Sequence, residues 1–178
     1  KPILGADLQI KEKTKPGEKE RFFTVTILAM DRIGKQNLYD ILSEAWLHSG
    51  SPDIDGVAAT LEDLAKYSEN LILLNGFRGD IAYFLNTSDD KNLKERLDFY
   101  KKYFKDRFCF EITRTHRQGE SEFEQKALDL CVQYGFYPVA SNDTRFLSGP
   151  DDLPADGLSD YYVHDIRVSI QKAMQKGS

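Results

Sequence analysis

LILLNGFRGDIAYFLNTSDDKNLKERLDFYKKYFKDRFCFEIT, residues 71–113, decides the fold. It opens on LILL (71–74), an apolar run of strand length, and closes on RFCFEIT (107–113), where Phe108 and Phe110 alternate with Cys109 and Glu111. Between them Gly76 and Gly79 make a turn and Asp80 starts a helix through IAYFL. Asp90 then caps a longer helix, in which Leu93, Leu97, Tyr100 and Phe104 recur at three- and four-residue steps. A strand, a helical crossover and a second strand place two strands side by side and parallel, because a parallel pair needs a long connection.

Downstream the pattern repeats. Residues 120–134 hold Phe123, Ala127, Leu128, Cys131 and Val132 on one helical face, Gly135 supplies the stop, and YPVAS (137–141) reads as a short strand. An acidic loop over 148–159 and a last helix over 160–175 follow. Upstream, Thr60 and Asp63 have the spacing of a capping box before LEDLAKY (61–67). From Ile33 onward Leu38, Ile41, Leu42, Ala45 and Trp46 mark an amphipathic helix that closes near Gly50 and Pro52. ILGADLQI (3–10) and FFTVTILAM (22–30) flank a lysine-rich stretch with Pro16 and Gly17, a hairpin-like pair within residues 2–30. Helices and strands alternating over 33–147 give an α/β class with a largely parallel sheet, in one domain spanning 1–178.

With 40% hydrophobic and 30% charged residues the chain can bury a core, which excludes a disordered polypeptide. The net charge of −5 and the absence of any Lys/Arg concentration argue against a duplex-binding surface of its own. No apolar run approaches the roughly 20 residues that cross a bilayer, so the chain reads as cytoplasmic with no membrane partner. Cys109 and Cys131 fall in apolar runs and read as buried thiols. Phe99, Tyr100, Tyr103 and Phe104 at helical spacing suit core packing better than base stacking, with Lys101, Lys102 and Lys105 as the solvated side.

Five stretches carry a resemblance: KPILGADLQI (1–10), TILAMDRIGKQNL (26–38), LILLNGFRGDI (71–81), FEITRTHR (110–117) with YPVASNDTRFL (137–147), and HDIRVSI (164–170). In this order they resemble the polymerase and histidinol phosphatase (PHP) domain of bacterial DNA polymerase III alpha subunits. The resemblance runs from Lys1 to about Gln171 and implies part of a distorted (β/α)7 barrel. Such barrels gather metal-binding side chains at the carboxyl ends of strands. It further implies that the family's first β/α units, with their His-x-His pair, precede Lys1. Intact family members hold zinc, manganese or iron with His, Asp and Glu, and the parent polymerase site uses magnesium.

Against that pattern the sequence departs. The resemblance places Asp7 where the family has Glu, and Thr24 and Thr115 where it has His. It places Asp143 with Arg145 where it has an Asp-x-His pair. Asp7 and Asp143 are then remnant metal ligands, while Thr24, Thr115 and Arg145 fill the vacated positions, Arg145 by pairing with Asp143 or Asp7. A guanidinium that stays protonated cannot ligate a metal. Glu111 faces away from Phe108 and Phe110 and either lines the barrel mouth or is solvated. His116, one place beyond Thr115, is a further candidate ligand. His48, at a helix end, reads as an offset to the helix dipole.

The implied function is a scaffold without bound cofactor. It braces the remainder of the polymerase alpha subunit and docks the proofreading exonuclease subunit, and it meets DNA only through the parent protein. The alternative is a metal-dependent phosphoesterase, an ancillary proofreader or pyrophosphatase, with Asp7, Glu111 and Asp143 as surviving ligands. Strand edges left unpaired by missing barrel units would favour self-association.

Overall fold

The structure is a computed structural model that describes residues 2–12, 20–48, 57–115 and 117–142. The acidic loop and the last helix expected from the sequence, together with His116, Asp143 and Arg145, lie outside the described residues.

Two long strands come first: β1 (Gly5–Glu12) and β2 (Arg21–Ala29), antiparallel with Asp7 opposite Thr26 and Gln9 opposite Thr24. Phe23, Val25 and Ile27 are buried while the residues between them are half-exposed, the period of two that a pleated strand imposes. Helix α1 (Arg32–His48) follows. The Asp31 carboxylate accepts the amide of Gly34 at 2.9 Å, as an N-cap does. Gly34 itself is required by packing, since a Cβ there would lie 2.0 Å from the Asn70 carbonyl oxygen.

A two-residue strand β3 (Ala58–Ala59) pairs parallel with β1. Helix α2 (Leu61–Lys66) begins with the capping box read in the sequence: Thr60 Oγ1 accepts the Asp63 amide at 3.2 Å, and Asp63 Oδ2 accepts the Thr60 amide at 2.9 Å. Strand β4 (Leu71–Asn75), helices α3 (Asp80–Thr87) and α4 (Asp90–Tyr103), and strand β5 (Phe108–Ile112) realise the crossover of residues 71–113. The cap of α4 is Asp89, one residue before the Asp90 expected, with its side chain accepting the Asn92 amide. Helix α5 (Glu120–Tyr134) stops at Gly135, whose φ of 68° is the left-handed conformation glycine adopts at little cost, and β6 (Tyr137–Ala140) completes the sheet.

The strand order is β3-β1-β2-β4-β5-β6. The pairings make every strand but β2 run the same way, so the sheet is mixed, with parallel β4, β5 and β6 on one side of the antiparallel β2. Among the described residues the six strands form a row with β3 and β6 at its ends, an α/β architecture without closure into a seven-strand barrel. One core joins Leu8, Ile10, Val25, Ile27, Leu73, Phe108 and Phe110 from one sheet face to Leu38, Ile41, Leu97, Tyr100, Phe123 and Ala127 from the helices. Phe108 stacks on Tyr100 with ring centroids 4.7 Å apart, so the aromatics of α4 are core. Both cysteines are buried free thiols, and burial pushes the Cys131 thiol up to about 11, helped by nearby Cys109.

Periodicity located these helices better than it oriented them. Trp46, Leu128 and Val132, read as core-facing, are exposed, and the buried side of α5 is Phe123, Ala127, Leu130 and Cys131.

Candidate functional site

Residues in register across a sheet share a face, and the face opposite the core carries the sequence candidates: Asp7 on β1, Thr24 and Thr26 on β2, and Glu111 on β5. Asp7 is exposed and already partnered. Thr26 Oγ1 donates to its Oδ1 at 2.6 Å, and Arg78 Nη2 lies 3.5 Å from its Oδ2. Arg78 belongs to the turn after β4, which the Gly79 amide closes onto the Gly76 carbonyl at 2.9 Å. The Thr24 amide donates to the Arg78 carbonyl at 3.1 Å, so the backbone of Thr24 holds the turn that presents Arg78. Glu111 projects to the polar face as alternation requires. Its carboxylate lies over Gly76, where a Cβ would come within 2.7 Å of Oε2 and push the carboxylate aside.

Thr115 acts elsewhere. Its amide and Oγ1 donate to Glu120 at 2.8 and 2.6 Å, and the Arg117 amide donates to the same carboxylate at 3.1 Å. Through these bonds Thr115 closes the loop onto the first residue of α5. Burial raises the Glu120 pKa, but the bonds from Thr115 and Arg117 outweigh it and leave the group below its ordinary value. A guanidinium does stand beside Asp7, but it is that of Arg78; Arg145, for which that place was read, lies outside the described residues with Asp143 and His116. His48, the last residue of α1, has Nε2 3.8 Å from Glu44 and Nδ1 3.6 Å from Asp63, a surface bridge between α1 and α2.

Among the described residues a buried charge network stands out that the sequence reading missed. Asp80, at the start of α3, is fully buried and accepts from Asn75 Nδ2 at 2.7 Å, the Ile81 amide at 2.8 Å and Tyr100 OH at 2.8 Å. Arg96 of α4, also buried, bridges Asp80 to Glu12 at the end of β1. Burial opposes the Arg96 charge, and the neighbouring Asp80, Tyr100 and Glu12 more than offset it, so its pKa is raised. Burial first, and Asp80 second, push the Tyr100 hydroxyl well up, which keeps it a donor. Asn75 Oδ1 finds no partner and abuts Gly79, where a Cβ would lie 2.2 Å from it. One sequence signal marked this clasp: Arg96 lies between Leu93, Leu97 and Tyr100, inside the apolar stripe of α4.

Among the described residues no group of three or more His, Cys, Asp and Glu is placed to hold a metal ion. Asp7 and Glu111 share a face but not an imidazole, and Asp7 is committed to a hydroxyl and a guanidinium. The described candidates thus supply two carboxylates and no imidazole, fewer donors than a multi-metal hydrolytic centre uses, while Asp143 and His116 lie outside the described residues.

Comparison with known proteins gives a consistent picture. The sequence model of the PHP domain matches residues 1–115. The DNA polymerase III subunit alpha of Escherichia coli (strain K12) is 33% identical over 174 residues, 96% of this chain and 14% of that protein. The subunit of the same name from Haemophilus influenzae is 30% identical over 173 residues, and that from Xylella fastidiosa (strain Temecula1) 33% over 170, covering 14% and 13% of their lengths. The chain thus spans about one seventh of the relatives it matches.

Proposed function

The chain belongs to the PHP domain family and is homologous to DNA polymerase III alpha subunits, and from that premise we propose that it is a non-catalytic PHP module of a replicative polymerase. It braces the polymerase core and docks the proofreading exonuclease subunit in the cytoplasm, and it meets DNA only through the larger protein. The six strands are then an arc of a (β/α)7-type barrel, and the catalytic magnesium belongs to the polymerase part alone.

The observation that supports this reading is the charge state of the polar face. The family resemblance implies that in metal-dependent members a carboxylate at the position of Asp7 faces a divalent cation. Here a Thr hydroxyl and the Arg78 guanidinium meet it, a fixed positive charge that serves as counter-ion and repels a metal. Two residues read as replacements for imidazoles, Thr24 and Thr115, support loops through backbone and side-chain hydrogen bonds. The competing phosphoesterase reading needs Asp7, Glu111 and Asp143; the first two lie on one face of the sheet and the third lies outside the described residues. No helix among the described residues is long and apolar enough to cross a membrane.

The test is binding of the chain to the cognate proofreading exonuclease by analytical ultracentrifugation. A stoichiometric complex is expected, and no detectable complex at any attainable concentration would remove the docking role.

A further inference from the structure

Asn75 and Gly76 form the one Asn-Gly step in the sequence. Such a step is chemically labile, because no side chain on the second residue obstructs attack by its backbone nitrogen on the asparagine side chain. The Gly76 nitrogen bonds to Asn75 Cγ, the Cγ–Nδ2 bond breaks, and the amide proton leaves with that nitrogen as ammonia. Water then opens the cyclic imide at one carbonyl or the other, giving aspartate or isoaspartate. Water is the sole co-reactant.

The fold holds this reaction off. Asn75 is the last residue of β4, in register with Phe110, and is fully buried. The ψ of a strand residue, about +115 to +135°, turns the Gly76 nitrogen away from Asn75 Cβ, so the imide ring cannot close until that torsion rotates. The leaving nitrogen, Nδ2, donates to Asp80 Oδ1 at 2.7 Å, and Asp80 is held in turn by Arg96 and Tyr100. Among the described residues Oδ1 accepts no hydrogen bond, so the bond to Asp80 is what fixes the amide.

We propose that Asn75–Gly76 is a deamidation site gated by the buried Asp80–Arg96 clasp, and that modification there prevents the clasp from re-forming. The reaction proceeds from a locally opened state in which Asp80 has released the amide. Either product puts a carboxylate where Nδ2 now donates, 2.7 Å from Asp80 Oδ1, so two acceptors with like charge face each other in a buried place. Arg96 is already shared between Asp80 and Glu12 and has no second charge to give. Isoaspartate also lengthens the backbone at the end of β4 by one methylene. A chain that has opened at this point is thereby marked and left less stable, whatever larger protein it serves.

The test follows aspartate and isoaspartate at position 75 by peptide mapping and mass spectrometry during incubation at mildly alkaline pH. Wild type in urea is expected to be modified at least about tenfold faster than wild type in buffer. Two mild variants separate the clasp from global unfolding: Tyr100→Phe keeps the ring on Phe108 and deletes one donor to Asp80, while Thr60→Ala removes the cap of α2. After correction for each variant's stability in urea, Tyr100→Phe in buffer is expected to react several-fold faster than Thr60→Ala. Equal corrected rates would assign the gate to global unfolding and overturn the clasp's part in it. Equal rates for wild type in urea and in buffer would overturn the protection, and an unmodified chain in urea would remove the site. Asn75→Asp, the product made directly, is expected to unfold at lower urea than wild type and to regain part of the loss with Asp80→Asn; an Asn75→Asp chain as stable as wild type would overturn the consequence for the clasp.

Discussion

Replacing Arg96 by Met should be the most damaging single change outside the apolar core. Methionine keeps the length and the apolar stem of the side chain, so the loss isolates the guanidinium. Asp80 is fully buried and would keep only three neutral donors, from Asn75, Ile81 and Tyr100; Glu12, the partly exposed last residue of β1, can turn toward water. Breaking a buried pair by deleting one partner costs about 3–5 kcal/mol, because the other charge stays desolvated. Against a typical domain stability of about 5–15 kcal/mol that is roughly a fifth of the total or more. With an m-value of about 2 kcal/mol/M the urea midpoint should fall by roughly 1.5–2.5 M. A double-mutant cycle with Asp80→Asn should recover much of the loss, because both charges are then gone and the amide still accepts from Tyr100. A cost for Arg96→Met below about 1 kcal/mol, or strict additivity with Asp80→Asn, would refute the buried clasp.

Other outcomes follow from the same geometry. Gly34→Ala, with its Cβ set 2.0 Å from the Asn70 carbonyl, should destabilise by about 2 kcal/mol or more in the same urea assay. Gly135→Ala, at φ 68°, should lose about 1 kcal/mol by the same measurement. Thr60→Ala removes the α2 cap and should cost about 1 kcal/mol, and Thr60→Ser should restore it. Glu120 titrates below its ordinary 4.5 in the folded chain, so the stability it lends is present above that pH and lost as pH falls through the lower folded value. Glu120→Gln should therefore flatten the acid limb of a stability profile below about pH 4.5, and an unchanged limb would discount the Thr115–Glu120 bonds.

The sequence was most informative where interactions are local. The Thr60–Asp63 box, the Gly135 stop and the crossover of residues 71–113 depend on neighbours a few positions away, and they stand where periodicity puts them. Strand β3 was invisible because two alanines show no alternation. The orientation of Trp46 and Val132 was missed because a helical period fixes spacing, while the covered side is chosen by what packs on it. The candidate site was legible in composition but not in pairing. Asp7 meets Thr26 nineteen positions away, and Arg96 meets Glu12 across 84 positions, separations at which no spacing rule operates. A charged residue inside an apolar stripe, as Arg96 is, was the one available sign of a buried ion network.

In the proposed function the Arg78 guanidinium, in place of a metal, partners Asp7. Metal analysis by inductively coupled plasma mass spectrometry, on wild type and Asp7→Ala loaded with zinc, manganese or iron and then desalted, tests it most directly. The expected result is no stoichiometric ion in either protein. Tightly held ions in wild type that disappear in Asp7→Ala would contradict it.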